Sequence, residues 1–311
     1  MDRCARPLTG QLRDLARAAL DRQGLAIRRL CWMGQHTNHL FRCDTAGGER
    51  LVIRVCLPGG RSDAELDAEL AWLAALARDT GLTVSALRFS TRVATAGLPG
   101  GGRCIGFGWV AGRPCRHQPS RRLVADLGRV IATLHSHARV FRPPPGFTRP
   151  ALNIRSLTWA GTWHADQLAR RSIDPEVRHV LAETAGRVDA VLACLGHDPA
   201  GYGLVHADLC LENILDHHGQ ARPIDFDDAS WGHYALDLAI AADDIPEELH
   251  PVLLRGYQTV CPLPPGYHEH QAALLAARHL YLAIWHLANG LPDDGHLGQL
   301  AAFTAPCSPA R

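Results

Sequence analysis

The run His206-Ala207-Asp208-Leu209-Cys210-Leu211-Glu212-Asn213-Ile214-Leu215, followed by Ile224-Asp225-Phe226-Asp227-Asp228, constrains this chain more than any other feature. Two short apolar runs flank His217-His218-Gly219-Gln220, and Pro223-Ile224 leads back toward Asp225. That spacing predicts a tight hairpin. Its closure brings Asn213 near Asp225 and leaves Asp208 on the loop just before it. An acid able to orient an attacking hydroxyl then lies beside oxygen donors suited to Mg²⁺. Phosphoryl transfer from ATP needs little more, because its catalysis is mostly positioning and charge neutralisation.

The second constraint is an absence. All 32 basic residues are Arg, and Lys does not occur. A Walker A phosphate loop and a Schiff-base lysine are both excluded. Any phosphate clamp must be an Arg, whose planar fork binds phosphate bidentately but is not interchangeable with Lys.

A chain of 311 residues can hold two lobes with a sizeable core. The formal charge of +1 argues against a nucleic-acid partner, since such proteins carry a basic excess. Ten Cys are scattered without a C-x-x-C pair, which suggests neither zinc nor a disulfide framework and reads as reduced thiols in a cytoplasmic protein. No signal-type segment and no run of roughly 20 apolar residues is present, so no membrane partner is expected. Oligomeric state cannot be read from the residues.

Along the chain, Leu12–Leu20 has an amphipathic helical pattern. Strand-like runs follow at Ile27–Trp32, Leu40–Cys43 and Leu51–Cys56. Ser62-Asp63-Ala64-Glu65 forms a capping box that opens a helix to about Ala77. Two more strands are expected near Leu87–Thr91 and Cys104–Val110, with Leu98-Pro99-Gly100-Gly101-Gly102 turning between them. Helical spacing runs from Leu123 to about Ala138 and returns at Leu236–Ala242, Pro251–Tyr257 and Glu269–Ala288. Arg142–Pro150 and Pro262–Gly266 read as connectors inside the second lobe. The expectation is an α+β chain, with a β-rich N-terminal lobe over residues 1–110 and a mostly helical C-terminal lobe over 111–311.

These motifs resemble the aminoglycoside phosphotransferase and choline kinase superfamily, in the branch with type II homoserine kinases and bacterial stress-response Ser/Thr kinases. Besides the hairpin, Gly34-Gln35-His36-Thr37-Asn38-His39-Leu40-Phe41-Arg42 is similar to that family's nucleotide loop. Trp109-Val110-Ala111-Gly112-Arg113-Pro114 is similar to its interlobe hinge, and Leu127–His135 to the helix after it. Two departures stand out. Ala207 replaces the usual Gly, and Arg54 stands where the family more often has Lys.

The resemblance implies a two-lobed protein-kinase-like fold with ATP and Mg²⁺ bound. Asp208 would orient the acceptor hydroxyl, and Asn213 and Asp225 would hold Mg²⁺. Arg54 would contact the α- and β-phosphates. Gly34, Thr37 and Asn38 would approach the phosphates, although a plain hairpin turn would have similar residues. Adenine would lie against Phe107–Val110, with Trp109 and Val110 in the cofactor set. Glu65 is assigned to capping Ser62, so Glu69, one turn further on, is the expected ion-pair partner of Arg54. Asp227 is either a ligand for a second Mg²⁺ or a solvated carboxylate. Asp237 is either a helix-terminal acid or a brace for the catalytic loop, and it is assigned as structural. His206 is expected to be a buried residue that fixes the loop. His217-His218 and His268-x-His270 lack acid or Cys company and read as exposed polar residues.

For the acceptor, Asp243, Asp244, Glu247 and Glu248 form either an acidic wall attracting an amine or a solvated helix start. Arg113, Arg116, Arg121 and Arg122 could meet anions or coat a loop. Three functions are carried forward. The favoured one is an ATP-dependent kinase acting on a hydroxyl of a small molecule: an amino alcohol, an amino sugar or aminoglycoside, or a homoserine-like metabolite. The others are a stress-response-type Ser/Thr protein kinase and a non-catalytic nucleotide-binding protein.

Overall fold

A computed structural model describes residues 5–35, 38–115 and 118–305. The chain divides into two compact units. The first runs to Ala111 and also takes in Pro143–Thr148, a piece that the sequence places with the second. The second unit comprises Gly112–Arg142 and Arg149 onward.

The first unit is built on an antiparallel sheet of β1 (Ile27–Gln35), β2 (His39–Thr45), β3 (Arg50–Cys56), β4 (Leu87–Thr95) and β5 (Leu98–Gly108), in the order β1-β2-β3-β5-β4. Helix α1 (Ala5–Arg22) buries Leu12, Leu15, Ala16, Ala19 and Leu20 against Phe41, Ile53, Val55 and Phe89. The i, i+3, i+4 spacing of those helix residues and the two-residue period along β3 let both elements turn one apolar face inward. Helix α2 (Asp63–Asp79) begins at the expected box. Ser62 Oγ accepts from the Glu65 amide at 3.3 Å, and Glu65 Oε2 accepts from the Ser62 amide at 2.8 Å.

The glycine-rich stretch after Leu98 is strand rather than turn. The turn falls at Ala96-Gly97, and β5 runs from Leu98 to Gly108. Its glycines serve close packing. A Cβ at Gly106 would lie 2.3 Å from the Phe89 ring, and one at Gly102 would lie 2.9 Å from the Cys56 carbonyl oxygen. Gly tolerates such approaches because it has no side chain to exclude them.

The second unit is mostly helical. The short β6 (Arg113–Pro114) is followed by α3 (Arg121–Val140), α4 (Ile154–Leu157), α5 (Trp163–Arg170) and α6 (Pro175–Leu195). Next come β7 (Tyr202–Val205), β8 (Ile214–His217), β9 (Gln220–Pro223) and β10 (Ser230–His233). Helices α7 (Tyr234–Asp243), α8 (His250–Gln258), α9 (Tyr267–Asn289) and α10 (His296–Thr304) complete it. Strands β8 and β9 form the predicted hairpin, with His218 and Gly219 both at positive φ (55° and 81°), the conformation of a tight hairpin turn. Strand β6 pairs with β8, and β7 with β10. Helix α3 also anchors the hairpin, because Asp126 accepts from the Ala221 amide at 2.8 Å. Leu157 of α4, Leu181 and Val188 of α6, Leu280 and Ile284 of α9, and Leu300 of α10 form the main helical core.

No helix among the described residues is long and apolar enough to cross a membrane. The eight described cysteines are all free.

Helices α3 and α8 meet through reciprocal glycines. A Cβ on Gly128 would fall 2.1 Å from the Leu253 carbonyl oxygen, and one on Gly256 2.1 Å from that of Ala125. Both obstacles are backbone, so the helices would have to separate. Gly256→Ala is expected to lower stability by about 2–3 kcal/mol, the cost of an overpacked core contact. Thermal unfolding measures this, and an unchanged melting temperature would refute the packing argument.

Candidate functional site

The loop before the hairpin is held from behind by one buried carboxylate. Asp237, on α7 and fully buried, accepts from the His206 amide through Oδ2 at 2.9 Å. It accepts from the Ala207 amide through Oδ1 at 2.8 Å. His135 of α3 also reaches Oδ2 through Nε2, at 3.2 Å. Burial lowers the His135 pKa, so the ring is neutral. Carboxylates only accept, which puts the proton on Nε2 and leaves Nδ1 to accept from the Tyr257 hydroxyl at 2.9 Å. Asp237 is therefore the structural brace expected from the sequence.

His206 fixes the next link. It is fully buried, its pKa is lowered by burial, and its Nδ1 accepts from the Asp208 amide at 3.3 Å. Nε2 then donates to the Ile224 carbonyl at 3.0 Å, which ties the Asp208 loop to the residue before Asp225. The ring thus joins the two halves of the motif.

Asp208 lies on this frame. Asn213 Nδ2 donates to its carbonyl at 2.9 Å and to its Oδ2 at 2.8 Å. Arg278 of α9 donates to Oδ1. Burial pushes the Asp208 carboxyl up to about 6; the Arg278 charge opposes that shift and Asp228 adds to it. The Asn213 amide directs its nitrogen at Asp208, so its planar geometry turns Oδ1 the other way. The Ile224 amide bonds the Asn213 carbonyl at 2.9 Å, which places Asp225 one residue from that contact. Asp225 has φ 61°, a left-handed conformation that Asp tolerates better than most residues. Asp227 is buried, and its carbonyl accepts from Arg149, as does that of Ala229.

The donors Asn213 Oδ1, Asp225 and Asp227 are hard oxygens of the kind Mg²⁺ takes, with phosphate oxygens and water completing its shell. Among the described residues no cluster of three or more His, Cys, Asp or Glu could hold a metal by itself. Hard oxygens of this kind suit a divalent cation bound together with a nucleotide, so the residues present fit the group.

In the first unit, Arg54 of β3 and Glu69 of α2 form a bidentate pair at 3.0 and 2.7 Å. Both are buried, at 4% and 2% exposure, and the guanidinium lies 5.3 Å from the Phe107 ring centroid. Glu65 is engaged at the Ser62 cap, which leaves Glu69 for this pair. Gly34, next to last in β1, has φ 151° with open space where a Cβ would be, and Asn38 precedes β2. Thr37 lies outside the described residues, as does Arg116. The Gly108 amide donates to Ala86 and the Trp109 amide to Arg50, at 2.8 and 3.2 Å, and Val110 is buried.

Two parts of the site gave no local sequence signal. Arg278 and Arg149 are distant in sequence from the acids and carbonyls they meet, inside stretches with no motif. In the acidic cluster only Glu247 and Glu248 lie at a helix start. Asp243 and Asp244 end α7 rather than start a helix, and Asp244 accepts from the Leu211 amide at 2.8 Å, so it helps hold the loop between Asp208 and Asn213. Glu247 and Glu248 are exposed in a short turn before α8. Arg113, Arg121 and Arg122 are exposed, and the Arg122 side chain lies against Gly219 of the hairpin turn.

The model of the phosphotransferase enzyme family matches residues 33–300. The chain belongs to this family. Amicoumacin kinase of Bacillus subtilis (strain 168) is 29% identical over 118 residues, 38% of this chain and 32% of that relative, so the match spans about a third of the relative's length. Among solved structures, amicoumacin kinase hAmiN in complex with AMP-PNP, Ca²⁺ and Ami is similar with a TM-score of 0.75 and 18% identity, over 92% of this chain and 91% of that one. A microcompartment-associated aminopropanol kinase is similar at 0.66 and 22% identity, over 92% and 93%. The fold is the protein-kinase-like α+β fold of these enzymes.

Ala207, where this phosphotransferase departs from the Gly expected of its relatives, adopts φ 68°. That left-handed conformation costs a residue with a Cβ about 1–2 kcal/mol. Ala207→Gly removes the strain but adds unfolded-state entropy worth about 0.4–1 kcal/mol. A net gain of about 0.5–1 kcal/mol is expected from this difference. Denaturant titration measures it, and a loss of stability would contradict the account.

Proposed function

We propose that this chain is an ATP-dependent kinase that phosphorylates a hydroxyl of a small molecule, in the class of amino alcohols and amino sugars. The observation that carries the reading is the constellation around Asp208: a carboxylate held on both oxygens, on a braced loop tied by His206 to the Asp225 segment. Asp208 would accept a hydrogen bond from the acceptor hydroxyl and take its proton as the oxygen attacks the γ-phosphorus in line. Asn213 and Asp225 would hold the divalent cation, with Asp227 close by in sequence. That ion, when bound, would neutralise charge on the phosphate oxygens.

Residues of the first unit would hold the nucleotide. Arg54, fixed on β3 by Glu69, would set its positive charge toward the α- and β-phosphates. Gly34, Thr37 and Asn38 would provide the close backbone approach to phosphate. Because the Gly108 and Trp109 amides are engaged within this unit, adenine would be read by the Trp109 carbonyl and the Val110 amide. Support for an amine-bearing acceptor comes from Asp228 and Asp243 near Asp208 and Arg278, and from relatives named for aminopropanol and amicoumacin. The near-neutral formal charge of +1 supports a partner that is a metabolite rather than a nucleic acid.

The test is Mg²⁺-dependent ADP release across a panel of homoserine, choline, 1-amino-2-propanol, several aminoglycosides and a generic protein substrate. One small acceptor should stimulate release, and Asp208→Asn should abolish the stimulation. Stimulation by the protein substrate alone would overturn the acceptor class. Since burial favours the protonated form of Asp208, the competent ionised form predominates only above about pH 6. kcat/KM, which reports the free enzyme, should therefore fall about tenfold per pH unit below that value. A flat profile down to pH 4.5 would contradict the assignment of Asp208.

A further inference from the structure

The catalytic loop carries no cation of its own. Residues 206–213 contain neither Arg nor Lys, and the chain has no Lys at all. The cation that reaches Asp208 comes from α9, 70 residues downstream. Arg278 donates to Oδ1 while Asn213 donates to Oδ2 at 2.8 Å. Both members of the ion pair are largely buried, their side chains 15% and 20% exposed. At that burial a lone carboxylate loses much of its hydration, and a charged partner offsets the loss.

Arg278 is itself backed by a rigid stack. Its guanidinium lies 6.0 Å from the Tyr281 ring centroid. Tyr281 stacks on Trp159 with ring centroids 4.5 Å apart and planes 22° apart, and Trp159 Nε1 donates to the Tyr281 carbonyl at 3.2 Å. Trp159 has φ 55°, a backbone conformation that a bulky side chain rarely adopts. Strain of this kind persists only where the surroundings over-determine it, and it gathers near functional sites.

An ionised carboxylate has about four acceptor positions. With positions taken by Asn213, Arg278 and the Cys210 thiol, its plane is fixed and a lone pair remains for an acceptor hydroxyl. We propose that Arg278 is a positioning residue for phosphoryl transfer, holding Asp208 Oδ1 from the Tyr281–Trp159 stack while Asn213 holds Oδ2. This rests on the reading of Asp208 as the group that orients the acceptor hydroxyl. It adds that the loop's missing counter-ion is supplied by a residue outside the motif.

The experiment compares wild type, Arg278→Ala, Arg278→Lys, Asp208→Asn and the double variant. Mg-ATP consumption is followed with the best acceptor of the panel above and, in parallel, with water alone. Arg278→Ala should lose at least about tenfold in kcat while KM for ATP and for the acceptor changes by less than about threefold, the signature of an interaction used in the transition state. Millimolar guanidinium chloride should restore part of the loss where equal sodium chloride does not, and Arg278→Lys should retain part. In the Asp208→Asn background, Arg278→Ala should cost nothing further, because one effect acts through the other.

Unchanged kcat with a raised acceptor KM would assign Arg278 to an anionic group of the acceptor and overturn the proposal. Unchanged kcat and KM would leave only a structural ion pair, and a loss accompanied by a lower melting temperature and no guanidinium response would be fold damage. Either result overturns it as well. Full activity in Asp208→Asn removes the underlying reading instead, so the two failures are told apart.

Discussion

The buried carboxylate of Asp237 is the contact on which the loop carrying Asp208 depends. It accepts the amides of His206 and Ala207, and its second role is to hold the neutral His135 ring. Charge-assisted bonds to buried amides are worth about 1.5–3 kcal/mol each, enough to outweigh the left-handed strain at Ala207. With the turn fixed, the Asp208 amide meets His206 and the Asp208 side chain meets Asn213. The His206 bond to the Ile224 carbonyl then sets the Asp225 segment against the same frame. A sharp backbone reversal and the placing of Asp208, Asn213 and Asp225 are thus specified by one buried acid.

The absence of Lys gives the molecule a consistent electrostatic character. Three guanidinium groups carry its internal polar framework. Arg54 is paired bidentately with Glu69, Arg149 gathers the Asp227 and Ala229 carbonyls, and Arg278 faces Asp208. Arg54 and Arg149 each use two nitrogens of the planar fork in fixed directions, which an ammonium cannot reproduce. The Arg54–Glu69 pair also shows why its burial is tolerable. Both terminal nitrogens meet both carboxylate oxygens, and the ring face of Phe107 covers the cation.

Much of this was legible in the sequence because the signals were local. The hairpin turn at His218-Gly219, the Ser62 cap and the helical periods of α1, α3 and α9 each arise from residues within one or two turns of one another. Glu69 could be selected by elimination, since the cap consumed Glu65. The glycines of β5 misled, because a Gly-rich run reads as a turn until the neighbouring Phe89 ring and Cys56 carbonyl are known. Helix α6 was not anticipated from the sequence, although Asp174 caps it and Pro175 lies in its first turn, and its apolar face packs on α9 and α10. Arg149, Arg278 and the Asp244–Leu211 bond were illegible for a simpler reason. They join segments far apart in sequence, and an Arg or Asp looks the same in sequence whether it meets water or a buried partner.

The most direct test of the account is Mg-ATP turnover in Asp237→Asn, a change of nearly constant shape. The carbamoyl group can accept only through one oxygen and sets an NH₂ against a backbone amide, so the turn before Asp208 loses its anchor. If the brace positions the catalytic carboxylate, the variant stays folded with a lowered melting temperature while turnover drops by about a hundredfold, the scale expected for a displaced reacting group. Wild-type turnover in a folded Asp237→Asn protein would contradict the claim that this buried acid organises the site.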